Sequence, residues 1–262
     1  LFFEKEYRDY ILRSPFSEHF IYGVGLNIDI KGENFSRNDL DALRGIIDSA
    51  SPSTLLLADA VTAAFGTRID VNKADALLFG TQKALALPPG LSILIANKKA
   101  LTKAEHNKNK GYYFDLTRIK RCNDDDLTLT TPNIPLLYAL RKKLFEIKAK
   151  GLNRFINEHK EKAELVRKWA EENGFELLVK EKYSKTVTVI ENTRNIDMEK
   201  TIRMLEKGGY CIANGYGPLK DKTLRIGHMG DITIEDTRNM LYQLEKLLTI
   251  NGELKVFASK TI

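Results

Sequence analysis

Cysteine is scarce in this chain of 262 residues: there are two, Cys122 and Cys211, and they lack metal-ligand spacing. That excludes a disulfide framework, gives no reason to expect a metal, and makes the reducing cytoplasm the expected compartment. Long apolar runs are missing as well. LLLADAV and LSILIA are strand-sized, far short of the roughly 18 residues that a membrane-spanning helix needs, so no membrane association is expected. A focused basic stripe is also absent. Lysine and arginine number 41 against 35 acidic residues, a net charge of +6 spread along the chain. The densest run, RKKLFEIKAK, is interleaved with apolar residues at helical spacing and reads as the solvated face of a helix. Nothing in it calls for nucleic acid. No signal peptide precedes Leu1, and a chain that opens on leucine reads as a fragment or a trimmed product.

What is present is ordinary globular material. Hydrophobic residues make up 43% and charged residues 29%, enough apolar surface for a core and too much for a disordered chain. Residues 1–20 are mixed and aromatic-rich, and IYGVGLNIDI (21–30) alternates loosely like a strand. SRNDLDALRGIIDSA (36–50) reads as an amphipathic helix: Ser36 and Asp39 resemble a capping box, and Leu40, Leu43, Ile46 and Ile47 share one face. TLLLADAV (54–61), ADALLFG (74–80) and LSILIAN (91–97) are short apolar runs of the kind buried on both faces in a parallel sheet. Helices alternating with such strands predict an α/β architecture.

A Pro-marked loop opens the helix in TPNIPLLYALRKKLFEIKAKGL (131–152), and NRFINEHKEKAELVRKWAEENG (153–174) is a second, longer helix stopped by Gly174. Trp169 in it reads as a packing residue. Short β-like pieces follow, FELLVK, TVTVIEN, YCIAN and LRIGHM, with helices expected at 197–207 and 234–248. Thr233 and Asp236 form a capping pair for the last of these. The expected organisation is a large α/β domain over 1–150 and a smaller α+β domain over 151–262, with the long helix as connector.

The chemistry concentrates between residues 54 and 100. Asp59 ends one apolar strand, and Lys83 lies just past the end of another. In open α/β sheets ligands gather at the carboxyl ends of the strands. An acid and an amine delivered there together are what a pyridoxal phosphate site requires: an amine for the aldehyde, a carboxylate for the pyridine nitrogen. Spacing alone leaves other readings open. An aspartate after a strand often caps a turn, and a lysine falls cheaply into any window of so basic a chain.

DAVTAAFG followed by GTQKALALPPGLSIL closely resembles the class V aminotransferases of pyridoxal phosphate (PLP) fold type I, in the alanine–glyoxylate and serine–pyruvate aminotransferase group. GYYFDL (111–116) resembles a tyrosine-rich strand of that family, TTPNIPLLYALRKKL its Thr-Pro loop and helix, and GYGPLKDKTLRIGHMGDIT (215–233) its small-domain substrate motif. The resemblance runs from about residue 54 to 250. It implies a fold type I large domain, incomplete at its N-terminus, and a small C-terminal domain. It implies transfer of an amino group between an alanine- or serine-type amino acid and a glyoxylate- or pyruvate-type keto acid, in a homodimer. Lys83 matches the Schiff-base lysine and Asp59 the aspartate on the pyridine nitrogen. Thr62 and Ala63 fall in the segment that lines the cofactor pocket in the family, Thr81 and Gln82 match the pair before the lysine, and Gln82 resembles a phosphate-side contact. Thr131 matches a threonine reaching the phosphate of the neighbouring subunit, while Thr128 stands where a tyrosine often accompanies it. Arg225 matches the arginine that grips the substrate carboxylate.

The family's Gly-rich phosphate-binding helix start and its ring-stacking aromatic are not visible, and IDIKGEN (28–34) is a poor match for its turn. Other readings are a truncated homologue without activity, a phosphoserine or aspartate aminotransferase, and a desulfurase or lyase of the same fold. Gln82 stands where the desulfurase branch has histidine. His228 and His106 read as packing or supporting residues, and NKKALTKAEHNKNKGYY (97–113) as an exposed basic loop.

Overall fold

The computed structural model describes residues 21–25, 37–108, 110–181 and 183–250. The reading of 1–20, the remainder of 26–30, Ser36 of the capping pair and the IDIKGEN turn lie outside the described residues. The chain divides into two compact units, one mainly of residues up to Ala149 and one mainly of residues from Lys150 onward.

The first unit is built on a four-stranded sheet in sequence order: β1 (Ile21–Gly25), β2 (Leu55–Asp59), β3 (Ala76–Gly80) and β4 (Ser92–Ala96). β1, β2 and β3 are parallel, with Ala58 opposite Leu77 and Asp59 opposite Leu78. The run LSILIAN does not extend this parallel set. β4 pairs antiparallel with β3 and exposes Leu94 and Ile95. Residues 81–91 between β3 and β4 form no helix to carry the chain across the sheet, and the strand runs the other way.

Helix α1 (Arg37–Ala50) buries Leu40 and Ile47, while Ile46 is exposed, contrary to the expected four-residue face. Arg44, one turn after Leu40, points inward instead and bonds Asp75. Asp75 is the polar hub of this unit. Its side chain is buried, 4% exposed, and accepts from Arg44 Nη1 at 2.9 Å, Leu56 N–H at 2.8 Å and Asn97 Nδ2 at 2.9 Å, with Lys99 Nζ at 3.7 Å. Its backbone donates to Leu56 O and accepts from Asn97 N–H. One residue thus fixes the starts of β2 and β3 and the end of β4. Burial drives its carboxyl upward, but the bonds from Leu56, Asn97 and Arg44 and the charge of Lys99 outweigh this and hold it below the usual range.

NKKALTKAEH is helix α2 (Lys98–His106) rather than a loop. Asn97 Oδ1 caps it by accepting from Ala100 N–H at 3.0 Å, Ala100 is buried, and Lys99 donates to Thr54 O at 2.7 Å. GYYFDL is likewise not a strand: Gly111 takes φ +65 and Asp115 caps α3 (Leu116–Asp124) through Thr117 N–H at 3.0 Å. Tyr112, Tyr113 and Phe114 stay exposed. α4 (Ile134–Lys150) follows the Pro132 loop and ends at Gly151, φ +88.

The second unit is an antiparallel sheet of order β5-β6-β8-β7, built from β5 (Glu176–Leu177), β6 (Val187–Glu191), β7 (Ala213–Asn214) and β8 (Thr223–Gly227). Helices α5 (Leu152–Glu172), α6 (Met198–Lys207) and α7 (Ile234–Ile250) supply the rest of its core. The inward stripe of α5 includes Phe155, Ile156, Ala163, Val166, Trp169 and Ala170. Trp169 packs against Phe175 with stacked rings 5.8 Å apart. Thr233 and Asp236 form the expected box on α7: Asp236 N–H donates to Thr233 Oγ1 at 3.0 Å, and Thr233 N–H donates to Asp236 Oδ2 at 2.9 Å.

Among the described residues three titratable side chains are buried in this unit. His228 is fully buried, its Nε2 2.9 Å from Thr188 Oγ1 and its Nδ1 without a partner. Burial, with the charges of Arg167 and Lys162, pushes its imidazole down to about 3. His159 and Lys162 share the inward stripe of α5.

Two outcomes follow from these buried polar groups. Asp75→Ala leaves Arg44 Nη1 and the Leu56 N–H without their acceptor, and urea unfolding should show a loss of about 3 kcal/mol. His228 has a folded pKa below its unfolded value, so the unfolded chain takes up its proton first on acidification. Stability is therefore full above an unfolded pKa near ~6.5 and declines as pH falls towards the folded value. Between pH 7 and pH 5 the loss should be about 2 kcal/mol in denaturant titrations. His228→Gln, which cannot titrate, should flatten that slope, and equal slopes in both proteins would contradict the assignment.

Candidate active site

β2 and β3 run parallel and end at the same edge of the first sheet, so their C-terminal residues are neighbours. Asp59 is the last residue of β2 and half-buried. Its Oδ1 accepts from Val61 N–H at 2.9 Å, which orients the carboxylate at the strand end. Ala60 N–H continues the ladder to Leu78 O at 2.8 Å. Ala63 and Ala64 N–H then turn back onto Ala60 O, and Thr62 sits half-buried in that turn beside the fully buried Ala63.

β3 ends at Gly80, three residues before Lys83. The intervening chain is tightly held. Thr81 is fully buried, its N–H donates to Leu91 O at 3.2 Å, and its carbonyl accepts from Leu87 N–H at 3.1 Å. Ala84 and Leu85 are buried, and Ala86 N–H donates to Lys83 O at 2.9 Å with Ala86 in the left-handed region, φ 54. Such a conformation is costly for alanine and persists because the closed loop on either side dictates it. Lys83 is thus fixed between buried neighbours, half-buried itself, and no described residue accepts from its Nζ. Gln82 is exposed and folds over Gly80, where a Cβ would collide with its Oε1.

Thr131 belongs to the same unit but lies in the exposed loop ahead of α4. Thr128 Oγ1 donates to Thr130 O at 2.7 Å within that loop.

Arg225 is in the second unit, in the middle of β8 and opposite Val189 of β6 and Ala213 of β7. Its side chain is exposed, and its Nε donates to Asn214 O at 2.8 Å. Among the described residues no carboxylate pairs with its guanidinium, so the Nη groups are left for an acid from outside. The chain after β7 turns sharply at Gly215, where a Cβ would run into the Leu219 carbonyl; no other residue fits there. His228 and His106 have the supporting parts expected of them: His228 is a core residue, and His106 Nδ1 lies 2.7 Å from Thr102 O on α2.

Asp59, Thr62, Gln82 and Lys83 therefore gather at one sheet edge. A fixed carboxylate, an amine without a partner among the described residues, and a hydroxyl and an amide beside them form a donor set that suits the nitrogen, aldehyde and phosphate of PLP. Among the described residues no cluster of histidine, cysteine or acidic groups fits a metal, and no helix is long and apolar enough to cross a membrane. Sequence reading missed Asp75, His159 and Lys162. The signal for the last two was their spacing with Phe155, Ala163 and Val166 along one helix face.

Comparison with known proteins shows the family. The chain matches the family model Aminotransferase class-V over residues 37–229. It is similar to the serine–glyoxylate aminotransferase of Methylorubrum extorquens, 30% identical over 225 residues that cover 82% of this chain and 56% of that protein. It is 32% identical to the serine–glyoxylate aminotransferase of Arabidopsis thaliana over 228 residues, 85% of this chain and 57% of the relative. The solved ureidoglycine–glyoxylate aminotransferase of Bacillus subtilis superposes with a TM-score of 0.81 at 26% identity, covering 90% of this chain and 62% of that one. The chain thus spans a little over half the length of the curated relatives it matches. The mixed α/β fold is that of the fold type I aminotransferases, and the cofactor implied by such relatives is PLP. Matched by that family model over most of its length, the chain belongs to the class V aminotransferases.

Proposed function

We propose that the protein is a PLP-dependent aminotransferase that moves an amino group between an alanine- or serine-type amino acid and a glyoxylate- or pyruvate-type keto acid. The observation that carries this reading is the delivery of Asp59 and Lys83 to the carboxyl ends of adjacent parallel strands. The serine–glyoxylate relatives support the substrate class. When bound, PLP supplies an aldehyde for amine exchange and a ring that accepts the electron pair of a broken substrate C–H bond.

The residues divide the work. Lys83 Nζ would hold the cofactor through its aldehyde and, as a free amine, would carry the proton from the substrate α-carbon to the cofactor carbon that bears the amino group. Its fixed backbone keeps that amine in place for both tasks. Asp59 keeps a proton on the pyridine nitrogen through a charge-assisted hydrogen bond. Thr62, Gln82 and Thr131 take the polar groups around the ring and phosphate. Arg225 receives the α-carboxylate common to donor and acceptor, and its planar fork matches the two oxygens.

The domains are read as 1–150 for cofactor binding and 151–262 for the small domain. The active unit is read as a homodimer. Exposed Tyr112, Tyr113, Phe114, Tyr138 and Phe145 cluster in sequence on either side of the Thr131 loop, and so much exposed aromatic surface is characteristic of an interface. Two free cysteines suit the cytoplasm.

Incubated with PLP and desalted, the protein should retain visible absorbance, and alanine or serine should shift it. Lys83→Ala should lose both the covalent adduct, read by mass spectrometry after reduction, and transamination; retained turnover would refute the role. Arg225→Lys should raise KM for amino and keto acids alike by about 10- to 100-fold, the equivalent of a lost bidentate bond of roughly 1.5–3 kcal/mol. An unchanged KM would place the carboxylate site elsewhere.

A further inference from the structure

Lys162 is a large fully buried side chain of the second unit, 2% exposed on the inward stripe of α5. No carboxylate lies within ion-pairing distance of it among the described residues. Its Nζ donates instead to two backbone carbonyls, Ile232 O at 2.7 Å and Gly230 O at 3.4 Å. Burying an ammonium on neutral acceptors is costly, and a methionine of similar length would cost less. Packing therefore does not account for the lysine; the carbonyls it holds do.

His159, three residues earlier on the same face, completes the arrangement. Its Nδ1 lies 2.8 Å from Phe155 O, and its Nε2 accepts from Gly230 N–H at 3.1 Å. The two bonds fix the tautomer with the proton on Nδ1. Burial, aided by the Lys162 charge, holds the imidazole below its usual range against the Phe155 bond and the Glu158 charge, so Nε2 stays an acceptor at neutral pH. Gly230, left-handed at φ +74, is thus gripped at both its polar atoms by one helix face.

Gly230 and Ile232 belong to the segment that leaves β8. That segment is anchored at alternate residues: His228 N–H to Thr186 O at 3.0 Å, Gly230 to His159 and Lys162, Ile232 to Lys162. Arg225 lies two residues inside the end of β8, and one short strand, β7, pairs with it on one side through only two positions. On its other side β6 pairs with all five residues of β8, so α5 takes over the course of the chain where that ladder ends.

We propose that Lys162 and His159 are positioning residues for Arg225: by fastening Gly230 and Ile232 to α5 they fix the exit of β8 and so set how the Arg225 guanidinium meets a substrate carboxylate. This rests on the reading of Arg225 as the carboxylate-binding residue. The two side chains touch neither substrate nor cofactor.

The test is a double-mutant cycle between Lys162→Met and Arg225→Met. KM and kcat are measured for alanine and glyoxylate, and the dissociation constant of pyruvate is read from its protection of residue 225 against phenylglyoxal by peptide mass spectrometry wherever the arginine is present. The expected result is a KM raised about tenfold by Lys162→Met with a smaller change in kcat, a matching loss of pyruvate protection, and no further loss when Arg225 is already methionine. His159→Leu should reproduce the effect and His159→Gln, which keeps an acceptor for Gly230 N–H, should restore most of it. That pair carries the test if Lys162→Met does not fold. If Arg225→Met leaves KM unchanged, the carboxylate reading fails and takes the proposal with it. If Arg225→Met raises KM but Lys162→Met and His159→Leu do not, or raise it equally without the arginine, the positioning role alone is overturned.

Discussion

Parallel pairing of β2 with β3 is the constraint on which the first unit depends. Two parallel neighbours must end at the same edge, so an acid closing one and a lysine just past the other are brought together whatever the loops do. The pairing needs its register fixed at the far end, where strands begin and no ligand helps. Asp75 does that with bonds to Leu56, Asn97 and Arg44. A one-residue slip there would turn Asp59 to the other face of the sheet. The buried carboxylate at one edge thus protects the geometry of the Asp59 carboxylate at the other.

The second unit depends on helix α5 in a comparable way. Its sheet is antiparallel and its strands are short, so local hydrogen bonding alone gives little leverage over where a single arginine points. The helix supplies that leverage through an apolar stripe with two polar members. Val166, Trp169 and Ala170 build the core, while His159 and Lys162 reach the backbone beyond β8. A polar group at a core position can offset its desolvation by specifying one arrangement among several.

The pattern of the sequence displays some of this and hides the rest for identifiable reasons. Apolar runs ending in Asp59 and just ahead of Lys83 mark two strands of a buried sheet, because a strand covered on both faces has no polar alternation to disguise it. The same run-length logic misreads LSILIAN, since direction is set by the connecting loop and not by the strand's own residues. Asp75 is one acid before an apolar run and carries no local sign of its partners, which come from three separate segments. His159 and Lys162 sit inside NEHKEKAEL, where charge density imitates a solvated face; only the helical spacing betrays them. GYYFDL is aromatic enough for a strand, yet the Asp115 cap and Gly111 turn decide otherwise.

The residues assigned to chemistry are held by two different means. Asp59 and Lys83 are set by backbone: a strand end with its carboxylate on Val61 N–H, and a closed loop that forces Ala86 into the left-handed region. Arg225 is set by side chains acting on backbone, through Asn214 O at its Nε and through the anchored exit of β8. The difference suits the tasks proposed for them. A group that stays covalently engaged and moves a proton over a short distance tolerates little displacement, and a backbone trap is stiff. A group that captures and releases a small acid at every turnover needs a defined direction but also a free, hydrated fork. An exposed arginine whose root is fixed and whose Nη groups are unpaired meets both conditions.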